Sequence, residues 1–227
     1  MPARPPEELK NTGYEIFIGM LSILSIFNLI LVYALVQDES LQNILQAMNA
    51  VLSGVFLIDF LYRLSTASSK SGYFLKQFGW ADLLASMPLP QFKILRVFRL
   101  FRVYRLLREF GLKNIGLGLM KDRAGSALYT LLLASILVLQ FGSLAVLRFE
   151  QYAPGANIKS ASDALWYTIV TISTVGYGDR FPTTNAGRLV GALIIVVGVG
   201  IFGTFTGYLA NFFLAPRKDD SIAKQEG

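Results

Sequence analysis

Tyr14 to Val36 is an apolar run of 23 residues, and its length limits the chain more than any other feature. A helix of that length crosses the roughly 30 Å hydrocarbon core of a bilayer. Inside lipid every backbone N–H and C=O must find a partner within the protein, which leaves helices or a closed barrel. The run is too long for the core of a secretory signal, no small-residue cleavage site follows it, and Glu7 and Glu8 precede it; it reads as a retained membrane helix. Further helices are expected at about 44–64, 74–87, 91–110, 126–149 and 186–214. The third is weak because it holds Lys76 and Asp82, and Pro88 and Pro90 end it. The expected fold is an all-α membrane protein with six transmembrane helices, in keeping with 53% hydrophobic and 16% charged residues.

Six crossings put both termini on one side. Lys70, Lys113, Lys121 and Arg123 lie in loops of one side, whereas the Asp38–Glu39 turn carries no cation. The positive-inside rule therefore predicts a multi-pass protein of the cell membrane with both termini cytoplasmic. The chain has no Cys and no His, which excludes disulfides and argues against a transition-metal site. Its net charge of +6 comes from one segment: setting aside Lys93, Arg96, Arg99, Arg102, Arg105 and Arg108 leaves 15 basic and 15 acidic residues. No nucleic-acid-binding surface is expected from such a distribution.

Between the last two long helices lies a shorter one, Ser160 to Ser173, for which Ser160, Ser162 or Asp163 offers an N-cap. Its apolar part is too short to span, so it reads as a re-entrant half-helix whose C-terminal end favours a cation. Thr174-Val175-Gly176-Tyr177-Gly178-Asp179 follows. Gly176 and Gly178 permit positive φ, which allows successive carbonyls to face one axis. Rings of such carbonyls can replace the water shell of a potassium ion. The expected K+ ligands are the carbonyls of Thr174, Val175, Gly176 and Tyr177, with the Thr174 hydroxyl below. One chain supplies a quarter of each ring, so a homotetramer is expected.

TVGYGD is the selectivity-filter signature of potassium channels, and with Trp166 to Ser173 before it the segment resembles the pore of the voltage-gated potassium channel family. The likeness is to the bacterial, six-transmembrane type; no tetramerisation domain precedes the first helix here. It implies that Asp179 bonds the pore-helix Trp166 as a support of the filter, bearing on slow inactivation. Gly198 resembles the hinge glycine of the inner helix, although Gly191, Gly198, Gly200, Gly203 and Gly207 also suit close packing between membrane helices.

The cations from 93 to 108 recur at every third residue with apolar pairs between them. They spiral around an α-helix but align along a 3₁₀-helix. A soluble basic helix rarely fills the intervening places with large apolar groups, and a surface-bound amphipathic helix keeps its charges on one face. The remaining reading is a voltage sensor with Arg96, Arg99, Arg102, Arg105 and Arg108 as gating charges. By resemblance, Phe56, Asp59 and Asp82 form the charge-transfer site that receives them, with Asp59 where many members have Glu. Arg63 reads most simply as a cytoplasmic anchor.

The resulting division is a cytoplasmic lead (1–13), a four-helix voltage-sensor domain (14–110), a linker (111–125), a two-helix pore domain with its re-entrant loop (126–215) and a cytoplasmic tail (216–227). The expected function is passive, voltage-gated, potassium-selective conduction. The alternative is the pore and sensor of a cyclic-nucleotide-regulated channel lacking its cytoplasmic domain. Neither is an enzyme, and neither needs a cofactor beyond potassium as the permeant ion. Expected partners are three further copies of the chain, potassium ions and membrane lipids, with anionic lipids as candidates.

Overall fold

The computed structural model describes residues 12–35, 37–67, 79–80, 83 and 123–214. Asp82, Lys93, Arg96, Arg99, Arg102, Arg105, Arg108 and the linker before Arg123 lie outside the described residues. All regular elements among the described residues are helical. Four helices are long and apolar enough to cross a membrane: Gly13–Tyr33, Glu39–Thr66, Ala127–Glu150 and Asn185–Leu214.

Helix α1 (Thr12–Ile30) ends in a π-turn, Leu31–Leu35. Helix α2 (Glu39–Thr66) starts five residues before the expected position, and Asp38 is the reason. Its carboxylate accepts from the backbone N–H of Ser40 at 2.9 Å and of Leu41 at 3.2 Å. Two of the helix's orphan donors are thereby satisfied, so the polar residues after Asp38 form its first turn instead of a separate loop.

The third rod, α3, joins an α-helix Arg123–Leu137, a π-turn Val138–Gly142 and an α-helix Ser143–Glu150. Helix α4 is Ala161–Ile172, and α5 is Asn185–Leu214. Of the three caps considered for α4, Ser160 is the one used. Its hydroxyl accepts from the Asp163 N–H, and the Asp163 carboxylate accepts from the Ser160 N–H, each at 3.1 Å. This reciprocal pair is a capping box.

Helix α5 buries Gly187, Gly191, Ile194, Gly198 and Ile201, at steps of four and three that trace one stripe along the rod. A Cβ on Gly191 would stand 2.5 Å from the Tyr167 hydroxyl, and one on Gly198 would stand 2.9 Å from Cα of Ile172. Side chains at these places would push α4 away from α5. Close approach therefore gives Gly198 a packing role, and α5 continues without a break through it.

Two buried clusters tie the long helices together. One joins Phe17, Ile18, Leu21 and Leu24 of α1 to Leu52 and Phe56 of α2, with Tyr129 and Leu133 of α3 packed on it. The other joins Ile44 and Met48 of α2 to Val146, Leu147, Ala164, Tyr167 and Ile194. Lipid tails are as apolar as these side chains, so helix association in a membrane depends on close packing and on polar contacts between helices.

Candidate functional site

The segment after α4 is held from behind by the end of that helix. The N–H groups of Val175 and Gly176 both donate to the Val170 carbonyl, at 3.2 and 3.3 Å. Positive φ then recurs at every second residue: 59° at Thr174, 60° at Gly176 and 78° at Gly178. Alternating left-handed with ordinary backbone turns successive peptide planes the same way, so carbonyls gather along the edge opposite the N–H groups. The two glycines adopt this freely. Thr174, with a branched Cβ, adopts it at a cost of order 1–3 kcal/mol. Residues 174–179 are all exposed in the single chain.

Trp166, on α4, touches this segment twice. Its indole N–H donates to Asp179 Oδ2 at 2.8 Å. Its ring stacks on Tyr177, with centroids 5.8 Å apart and planes 5° from parallel. Tyr167 faces the other way, buried against α5.

Just beyond the segment, Arg180 Nε pairs with Asp163 Oδ1 at 2.8 Å. Burial acts to raise the Asp163 carboxyl, but bonds from Lys159 and Ser160 and the Arg180 charge hold it below the usual range. Asn157 completes this side, accepting from the Phe181 N–H at 3.2 Å and donating to the Asp179 carbonyl at 3.5 Å. A carboxylate that sequence reasoning passed over secures the start of α5. Glu150, fully buried, accepts from the N–H and hydroxyl of both Thr183 and Thr184, at 2.6–2.9 Å. A Cβ on Gly187 would run into that carboxylate. An acid at the end of an apolar run is a visible signal in the sequence. The Thr-Thr pair 33 residues further on is not.

Of the residues expected to form a charge-transfer site, Phe56 and Asp59 lie on α2, each 1% exposed. Asp59 Oδ1 accepts from the Tyr14 hydroxyl at 2.6 Å and from Arg63 Nε at 2.8 Å, while Arg63 Nη2 pairs with Glu15 Oε2 at 2.9 Å. Arg63 is thus no headgroup anchor. It is 5% exposed, because two carboxylates offset the cost of burying its charge. Asp82 lies outside the described residues.

The profile of the family described as ion transport protein matches residues 11–218. A voltage-gated potassium channel of Aeropyrum pernix is 36% identical over 85 residues, 37% of this chain and 29% of the relative. The calcium-gated potassium channel TvoK of Thermoplasma volcanium is 36% identical over 92 residues, 40% of this chain and 26% of the relative. The potassium voltage-gated channel protein Shal of Drosophila melanogaster is 33% identical over 161 residues, 64% of this chain and 28% of the relative. In each case the match spans under a third of the relative's length.

Proposed function

Because this chain belongs to the ion transport protein family, we propose that it forms a potassium-selective channel gated by voltage. The observation that carries this is the alternating backbone of residues 174–178, braced by α4 and left exposed where other copies would meet it. In a homotetramer the carbonyls of Thr174, Val175, Gly176 and Tyr177 replace the hydration shell of a potassium ion, and the Thr174 hydroxyl closes the cage below. Gly178 turns the chain away at the mouth, and Trp166 with Asp179 supports it. The negative end of α4 favours a cation in the cavity below. Potassium is the permeant substrate, not a resident cofactor.

Each subunit has six membrane helices in the cell membrane, with both termini cytoplasmic and the Gly178 end of the filter outside. The arginines at 96, 99, 102, 105 and 108 move in the field, received by Phe56, Asp59 and Asp82. Planar-bilayer recording of the purified protein, with opposed potassium and sodium gradients, tests the proposal. The reversal potential should follow potassium, and one that follows sodium overturns it. Gating by a ligand is the second reading, favoured by the name of the calcium-gated relative. Opening by voltage alone, in buffer free of calcium and nucleotides, decides against it.

A further inference from the structure

Helices α1 and α2 together meet α3 and the residues after it at three depths. At the first turns of α1, the rings of Tyr14 and Phe17 each lie 5.6 Å from the ring of Tyr129. About 20 Å further along the rod, Asn28 and Gln140 exchange a reciprocal pair of amide hydrogen bonds, Nδ2 to Oε1 at 2.9 Å and Nε2 to Oδ1 at 2.7 Å. Both residues are fully buried, and Gln140 lies in the π-turn that interrupts α3. Beyond the far end of α1, Asp38 Oδ2 accepts from the Tyr152 hydroxyl at 2.6 Å and from Gln151 Nε2 at 3.1 Å.

Two primary amides buried in an apolar run are costly unless each satisfies the other, and a reciprocal pair does so at one register only. A π-turn that offers Gln140 to α1 fits the same purpose, since such bulges re-aim side chains within a continuous helix. The outer contact is of a different kind, exposed and centred on a carboxylate, and it joins the N-cap of α2 to the residues just after α3.

We propose that α1 and α2 dock permanently on the pore of their own subunit, pinned by Asn28–Gln140 within the membrane and by Asp38–Tyr152 outside it. This rests on the channel reading above and adds which subunit's pore each sensor serves. In the opposite arrangement, the same surfaces would meet between neighbouring subunits.

The chain has no cysteine, so a pair of introduced thiols is unambiguous. The double variant Asp38→Cys with Tyr152→Cys, purified as the tetramer, is treated with a short bifunctional thiol reagent. It is then denatured and weighed by intact-mass spectrometry. Most of the product should be single chains carrying one bridging linker and no free thiol. Dimers or higher covalent species overturn the proposal. So does the absence of any bridge when both single variants take up a monofunctional reagent. Asn28→Leu and Gln140→Leu supply an independent arm read by thermal unfolding. Each single change strands an amide and should lower the melting temperature more than the double change does; additive losses overturn the pin. A sodium-following reversal potential would sink the potassium reading and leave both of these results standing.

Discussion

Trp166 donates its indole N–H to Asp179 at 2.8 Å while its ring lies flat on Tyr177. One side chain of α4 thus grips the exposed segment at two residues, through a charge-assisted bond and through a stack. The two can be removed separately.

Trp166→Phe keeps the stack and loses the donor. A hydrogen bond to a charged group contributes about 1.5–3 kcal/mol, and the exposed position of this one puts it at the low end. Loss of that much corresponds to roughly a tenfold change in an equilibrium. Current during sustained opening should therefore decay about tenfold faster in Trp166→Phe and in Asp179→Ala, which removes the acceptor, with the reversal potential unchanged. Decay kinetics equal to wild type would remove the bond from any role in holding the filter open.

Glu150 brackets the first residues of α5 with four accepted bonds. Glu150→Gln replaces one acceptor oxygen by a donor that faces another donor, at a cost of about 2–4 kcal/mol. The tetramer should melt several degrees lower, and Gly187→Ala, which drives a Cβ into the carboxylate, should behave alike. Unchanged melting in both would mean that the bracket adds nothing to assembly.

Gly198→Ala sets a Cβ 2.9 Å from backbone of α4, whereas Gly200→Ala and Gly203→Ala meet open space within the subunit. Overpacking costs about 1–3 kcal/mol. If Gly198 serves packing, its alanine variant should lose thermal stability and tetramer yield while Gly200→Ala loses little. A hinge instead predicts normal assembly with a displaced conductance–voltage midpoint.

The Tyr152 hydroxyl beside Asp38, with the Leu41, Ser40 and Gln151 donors, holds its carboxyl below the usual carboxylate range. A depressed folded-state value gives stability that is full above the unfolded value of about 3.9 and is lost as pH falls through the folded value. The melting-temperature difference between wild type and Asp38→Asn should stay constant from pH 7 to pH 5 and shrink below about 4. Tyr152→Phe should make that loss smaller and complete it at higher pH, because the folded value then lies nearer the unfolded one. A difference that varies between pH 7 and pH 5 would assign the effect to another group.

Each arginine that crosses the field contributes about 2.3 kcal/mol per 100 mV. In the proposed tetramer, about three or four moving in each of four subunits would bring roughly 28–37 kcal/mol per 100 mV to bear on the pore. Arg96, Arg99, Arg102 and Arg105 should carry most of it, and Arg99→Gln or Arg102→Gln should flatten the limiting slope. Arg108→Gln, at the end of the run where a long side chain reaches the headgroups, should mainly shift the curve. Equal slopes in all four central variants would take the sensor role away from this segment.

The four long helices among the described residues were readable because their length is set by the bilayer, whereas the start of α2 was missed by five residues because the Asp38 cap draws the polar residues after it into the first turn. The short α4 was readable from its failure to reach across. Positive φ at Gly176 and Gly178 follows from residue type, but that at Thr174 does not. There the regular alternation of the strand overrides the preference of a branched side chain. The Asn28–Gln140 pair was hidden for a different reason. An amide in an apolar run announces that it needs a partner, yet nothing local says which of several polar groups at similar depth it will meet, 112 residues away. The Arg63 cluster was hidden likewise, since a cation near the end of a span can equally reach the headgroups.

Asp163 caps the start of α4 and also pairs with Arg180, so the intervening stretch is a loop closed on one carboxylate. Within it Trp166 reaches Asp179, 13 residues on, and just outside it Asn157 reaches Phe181, 24 residues on. These are near neighbours along the chain, and short loops close at little entropic cost and quickly. In the proposed tetramer, each subunit can therefore shape its quarter of the ring before it meets another subunit. Assembly then becomes a docking of finished parts, and its rate should depend on subunit concentration instead of on any slow rearrangement of the filter.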